Sequence, residues 1–244
     1  MTSVRHPNAI FRLGQLAATT AVLLAGAAWT AEPSTTAEPE QVVYEPPDLG
    51  APKVRTGAVA RGVGELPTVL VLAPPELART MSTQPTLYWF LSGPSMAPAR
   101  LTVQDLDAVE PLLEVELGEI EAGGVHATAL ADHGVTLEPG HSYEWSVALT
   151  VNDPSAWSVA GTILTVAEAD PELLAKTEGA RPEARAEALA AAGYWYDLID
   201  LISREIAAGD DPEAWRALRA ALLEQEAVGL DAVAEYDQQP VDAQ

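Results

Sequence analysis

The sequence has no cysteine, only two phenylalanines, and just 13 Lys+Arg against 36 Asp+Glu. Each scarcity removes a class of function. Without cysteine there is no disulfide framework, no thiol nucleophile and no thiolate metal site, so the fold must be held by its core. A formal charge of −23 offers no basic footprint to nucleic acid or to anionic lipid, because phosphate binding needs one. Enzymatic signatures are also missing: there is no G-x-S-x-G elbow, phosphate-cradling glycine loop, dinucleotide fingerprint or HExxH.

What is present begins with an address. Arg5 and Arg12 precede "LGQLAATTAVLLAGAA", an uncharged apolar stretch that ends in small residues, so residues 1–28 read as a signal peptide cut after Ala27 or Ala28. An uncleaved anchor would need about 20 apolar residues; this stretch is shorter and carries Gln15, Thr19 and Thr20. No second stretch could span a bilayer. The expectation is a periplasmic or secreted protein, not inserted in the membrane after cleavage. Losing Arg5 and Arg12 leaves 11 basic against 36 acidic residues, a mature charge of about −25. The remaining ~215 residues allow one or two modest domains.

Residues 29–60, rich in Pro, Glu, Thr and Ser, read as a disordered Pro/Glu-rich linker. The alternative is that Tyr44 pairs with Val42 and Val43 as a short edge strand. Residues 61–168 read as a β-sandwich domain, since the apolar period is two and turn residues recur at the spacing of a sandwich. "TVLVLAP", "PTLYWFL", "ARLTVQD", "LLEVELG", "GVHATAL", "SYEWSVALTV" and "WSVAGTILTV" are seven candidate strands. The sixth puts Tyr143, Trp145, Val147, Leu149 and Val151 on one face, and the fourth sets Leu113, Val115 and Leu117 against Glu114 and Glu116. "LEPGHSYEW" has the spacing of a tyrosine corner, which favours a seven-stranded antiparallel immunoglobulin/fibronectin-like sandwich over a barrel. Gly161 is expected to weaken pairing in the last strand and to mark a bulge.

After residue 168 the period becomes helical, and residues 169–232 read as a C-terminal helical region ending in a hairpin, with 233–244 a flexible tail. "DPELL", "RPEAR" and "DPEAW" each put Pro at the first helical position and Glu after it; Asp170 and Asp211 suit the N-cap, whereas Arg181 does not. These starts predict a short helix, a long one to about Ala208 and a third from Pro212, with "AAGD" as the break. On the long helix Ala188, Ala191, Trp195, Leu198, Ile199, Ile202 and Ile206 fall within about 100° of arc. Trp195 is then a core anchor, matched by Trp215, Leu218 and Leu222 on the next helix. Tyr194 and Tyr196 fall to either side as boundary residues with hydroxyls near water, which argues against a stacking platform.

"PTLYWFLSG", the "LEPGHSYEW" corner, the late "VAGTI" strand, "AGYWYDLIDLI" and "DPEAWRALRAALL" occur in an order that resembles the bacterial family catalogued as domain of unknown function 928, over about residues 61 to 226. The resemblance implies an exported protein with no established activity or catalytic set. The cysteine that many relatives carry near the end of the sandwich is absent, which marks a divergent member and makes any shared redox feature inapplicable.

Residues with chemical potential carry bland readings alongside. His126, His133 and His141 lie within 16 residues and suit zinc or copper if a hairpin joins them, but His126 is on a strand and the others are in the turns "DHG" and "PGHS"; surface histidines are the simpler reading. Asp105 and Asp107 resemble half a calcium loop without its glycine and distal glutamate. Ser92 and Ser95 in "SGPS" have no histidine base at a motif-supported spacing. Glu114 and Glu116 could serve glycoside chemistry only across a cleft. No catalytic residue, metal ligand or cofactor is assigned. The sequence therefore predicts an α+β, non-enzymatic, exported adaptor for an envelope or secreted protein partner, with a glycan or small-ligand module as runner-up and a hydrolase of novel type third.

Overall fold

The computed structural model describes residues 42–48, 55–61, 66–150 and 157–240; the expected leader at 1–28 and Val151 lie outside them. The chain runs through β1 (Thr56–Arg61), β2 (Val69–Val71), β3 (Ala78–Thr80), β4 (Thr86–Leu91), β5 (Ser95–Asp105), β6 (Leu113–Ile120), β7 (Gly124–Ala129), β8 (Ser142–Thr150) and β9 (Trp157–Val166). Then follow α1 (Pro171–Thr177), α2 (Pro182–Ala191), α3 (Trp195–Ala208), α4 (Pro212–Leu223) and α5 (Asp231–Asp237). The fold is mixed α+β with two sheets. One has the order β1-β9-β8-β5-β6 with β3 added to β9, and the other is β2-β4-β7.

All seven expected strands are present, and their faces follow the pleat. Tyr143, Trp145, Val147 and Leu149 are buried along β8, while Glu144 and Thr150 are exposed. The Tyr143 hydroxyl accepts the Glu138 N–H at 2.9 Å, as the corner spacing requires. β4 departs from simple alternation: Leu87, Tyr88, Trp89, Phe90 and Leu91 are all buried. The reason is that helices cover its second face. Tyr88 reaches Asp200 of α3, and Phe90 meets Tyr236 of α5 edge-on at 5.4 Å. A strand covered on both faces loses the polar half of its pattern.

Two strands have no counterpart among the seven. β3 is only "ART", too short for a period, and pairs parallel to β9, so the larger sheet is mixed rather than antiparallel. β1 lies, except for Arg61, inside the stretch expected to be linker and pairs antiparallel with β9. The irregularity expected at Gly161 falls between Thr56 and Val59 on β1, opposite it, whereas the β8–β9 register is unbroken. Glycine is needed there because a Cβ would sit 3.0 Å from the Ser146 Cβ and the Trp145 oxygen.

The helix starts follow their grammar. Asp170 accepts from the N–H groups of Glu172 and Leu173, Asp211 from that of Ala214, and Arg181 makes no side-chain cap. The single long helix expected from 182 to 208 is instead two. Gly193 has φ 73, a left-handed conformation that ends α2, and a Cβ there would stand 2.8 Å from the Glu45 oxygen. That neighbour belongs to the second correction: residues 42–48, expected as linker or edge strand, are neither. The Glu45 N–H donates to the Ala190 oxygen, and the Gln225 amide pairs with the backbone of Val42 and Tyr44 at 2.9 Å each. Tyr44 is buried and meets Trp195 edge-on at 4.8 Å. A third correction concerns the expected tail, where α5 is docked by a buried fork: Arg219 donates to both oxygens of Asp237, at 2.6 and 2.7 Å. Strands and helices share one core.

Candidate functional site

The aromatic run that opens α3 packs as core, and more fully than its helical angles imply. Tyr194, Trp195 and Tyr196 are all buried. Trp195 donates its Nε1–H to the Leu72 oxygen at 2.7 Å, and Tyr196 accepts from Trp145 Nε1 at 3.0 Å. Burial pushes the Tyr196 phenol well above its ordinary range. Tyr194 lies beneath the Arg79 guanidinium, whose carbon is 4.4 Å from the ring centroid. The expected boundary placement of the two tyrosines fails because Gly193 starts a new helix, and sheet and N-terminal segment cover that helix from different sides.

A cleft of 390 Å³ opens where α1, α2 and α3 meet the β3–β4 connection. Its charged lining is Arg185, Asp197, Asp200, Arg204 and Glu205, with Ser82 and Thr177 among the other polar groups. Asp197 accepts the Met81 N–H at 3.0 Å. Burial raises its pKa to about 6, against the opposing pull of that bond and of the Thr80 hydroxyl. Asp200 takes a bond from the Tyr88 hydroxyl at 3.1 Å and an ion pair from Arg204 at 2.8 Å, while burial and the Asp200 charge push the Tyr88 phenol up to about 12. Chemically this is a mixed-charge pocket able to hold a small polar molecule. Sequence reasoning passed over both carboxylates; the signal was two acids three residues apart inside the apolar run "YWYDLIDLI".

The three histidines do not meet. His126 stacks on Trp89 with centroids 4.6 Å apart, its Nε2 is buried without a protein partner, and burial lowers its pKa despite a hydrogen bond that the ring makes to the Ala122 backbone. His133 is exposed in a short 3-10 turn, Leu130–His133. His141, in the turn before β8, lies elsewhere: its Nδ1 is 3.7 Å from the Asp105 carboxylate and its Nε2 is 3.8 Å from Glu138. The half calcium loop and one histidine thus come together. Single donor atoms of Asp105, Asp107 and His141 lie within 4.8 Å of one another.

Beside this cluster the β5–β6 connection, residues 106–112, exposes Leu106, Val109 and Leu112, with Val109 94% exposed. Three aliphatics whose spacing in "LDAVEPLL" fits neither period were the sequence signal. The other candidates are engaged. The Ser92 hydroxyl accepts the Thr68 N–H and that of Ser95 donates to the Ala97 oxygen; Glu114 and Glu116 share Arg100 on the surface of the larger sheet.

Among the described residues no helix is long and apolar enough to cross a membrane. A family model described as Domain of Unknown Function (DUF928) matches residues 56–238. No curated protein and no solved structure matches the chain.

Proposed function

The chain belongs to the DUF928 family, and on that premise we propose that it is an exported, non-enzymatic accessory module which docks another envelope or secreted protein through its β5–β6 connection. The observation that carries this reading is the trio Leu106, Val109 and Leu112, exposed together on one connection, when large apolar side chains so clustered mark interaction sites. Asp107 and Glu110 flank them and Glu114 and Glu116 follow, all exposed. The partner that fits is an apolar surface rimmed by basic residues, since rim charge sets register and association rate.

For the sheets, the reading is an immunoglobulin-like sandwich. Its support is the split of β2-β4-β7 from β9-β8-β5-β6, the contacts of β2 with both β8 and β9, the parallel β3 on β9 and the Tyr143 corner. A second reading, a small polar ligand or glycan in the helix–sheet cleft, is favoured by Asp197 and Asp200 standing there with Arg185 and Arg204.

The docking reading is tested with a photo-crosslinking residue at Val109 in the full-length chain, and a control at exposed Glu187 of α2. One discrete adduct at 109, absent at 187 and lost in the Leu106→Ser, Leu112→Ser background, is expected. Equal adducts at both positions would sink it. Export is checked by N-terminal sequencing of the envelope fraction, which should start at Ala28 or Trp29; a product starting at Met1 refutes cleavage.

A further inference from the structure

Asp105, Asp107 and His141 come from two separate connections that the larger sheet holds at one end. Asp105 closes β5 and pairs in register with Tyr143 of β8. His141 is two residues earlier, its carbonyl fixed by the Val166 N–H at 3.0 Å and its turn pinned by the Tyr143 hydroxyl on Glu138. Leu106 ties the two connections together by donating to the Ser142 oxygen. The backbone under the three donors is therefore set by the ladder and the tyrosine corner.

The side chains use that frame unevenly. One Asp105 oxygen accepts the Asp107 backbone N–H at 2.8 Å, which turns the chain tightly and keeps Asp107 beside Asp105. The other oxygen faces His141 Nδ1 at 3.7 Å, too long for a hydrogen bond. On the far side of the ring, Nε2 faces Glu138 at 3.8 Å. An imidazole with Nδ1 toward the Asp105 carboxylate, Asp107 beside the pair, and Nε2 toward Glu138 has the order of a metal ligand with its outer partner. The Tyr143 ring lies roughly parallel to the imidazole, with centroids 6.4 Å apart, and leaves it room to turn.

We infer that Asp105, Asp107 and His141 form a binding site for one divalent transition ion of the zinc class, with His141 Nδ1 and one oxygen from each aspartate as ligands and Glu138 orienting the imidazole through Nε2. One nitrogen and two oxygens suit zinc, with water completing the shell. The imidazole separates this site from a calcium loop, whose ligands are all oxygen. Donor atoms spread over 4.8 Å must close by about 1 Å around an ion with ligand distances near 2 Å. Asp107 and His141, both solvent-accessible, can make that adjustment by side-chain rotation. The site goes beyond the docking reading and does not depend on it.

The test is titration of the chelator-stripped protein with zinc, followed by calorimetry and by thermal midpoint, and with cobalt, followed by visible absorption. One ion per chain is expected, with a midpoint that rises with zinc. His141→Ala and Asp105→Asn should each lose at least about tenfold in affinity and Glu138→Gln roughly tenfold, the size of an outer-ligand effect. His133→Ala should bind as the parent does. Equal metal-free midpoints for parent and variants would show that folding is not the cause. Unchanged zinc affinity in His141→Ala overturns the proposal, as does calcium raising the midpoint equally in parent and His141→Ala, which would make the site carboxylate-only.

Discussion

Trp145 of β8 donates its indole N–H to the hydroxyl of Tyr196 on α3, at 3.0 Å. Both side chains are buried, so one bond satisfies two polar groups and ties sheet to helix. Tyr196→Phe should cost about 1–3 kcal/mol, because the indole donor is left dry and unpaired. Trp195→Ala, which empties a larger site and also frees the Leu72 carbonyl, should cost about 3–5 kcal/mol. Urea unfolding ranks the two variants; a parental midpoint for Trp195→Ala would mean that it is not core.

Gly193 and Gly209 both have positive φ, 73 and 82, but only the first has a neighbour, the Glu45 oxygen, where a Cβ would stand. Gly209→Ala should therefore carry backbone strain alone, about 1 kcal/mol. Gly193→Ala should cost more and release the 42–48 segment. Cleavage after Tyr44 by chymotrypsin, fast in Gly193→Ala and slow in Gly209→Ala and the parent, is the expected pattern.

Asp197 gives stability a pH dependence of unusual sign. Its folded pKa, raised by burial to about 6 from 3.8, means the folded chain holds this proton more tightly than the unfolded one. Its contribution is greatest below pH 4 and is lost as pH rises to about 6, by an amount on the order of 3 kcal/mol at most. In Asp197→Asn that part of the profile should be flat. Subtracting the variant's curve from the parent's, over pH 3.5 to 7, removes the titration of all other groups; a difference that does not change with pH would rule the assignment out.

Arg219 and Asp237 are both buried and joined by two short bonds, with the Ser203 hydroxyl completing the guanidinium. Arg219→Met leaves a buried carboxylate alone and should cost about 3–5 kcal/mol, whereas the double variant with Asp237→Leu should regain most of that loss. Guanidinium chloride unfolding of the two proteins, with amide exchange on α5, distinguishes a fork that positions the helix from one that merely accompanies it.

How far the sequence could be read depended on whether a segment's partner lay nearby. β8, with one wet face, shows its alternation plainly, and Asp170 and Asp211 announce their helices because a cap acts within three residues. Tyr44 could not be read in the same way, since what buries it is Trp195 and Gln225, far along the chain, and its Pro- and Glu-rich neighbours have the composition of a linker. The split of the long helix was hidden for a related reason: Gly193 in an alanine-rich stretch costs only about 1 kcal/mol as a helical residue, and the contact that makes it a break comes from residue 45. The acids of the cleft were masked by their apolar setting, and His141 was grouped with the wrong partners because chain distance stood in for spatial distance.

The pairing of Val42 and Tyr44 with Gln225 spans more than 180 residues, and it sets an order of assembly. As the chain emerges from a ribosome or a translocation channel, residue 44 appears first and its receiving groups almost last. Closing a loop of that length before anything else has formed would cost roughly 4–5 kcal/mol in chain entropy, more than two hydrogen bonds and one edge-on aromatic contact return. The sheets and α2–α4 must therefore come together first and shorten the loop. A chain stopped before residue 225 would lack the Gln225 clamp and hold its N-terminal segment only through Ala190 and Trp195, leaving it more accessible than in the full chain.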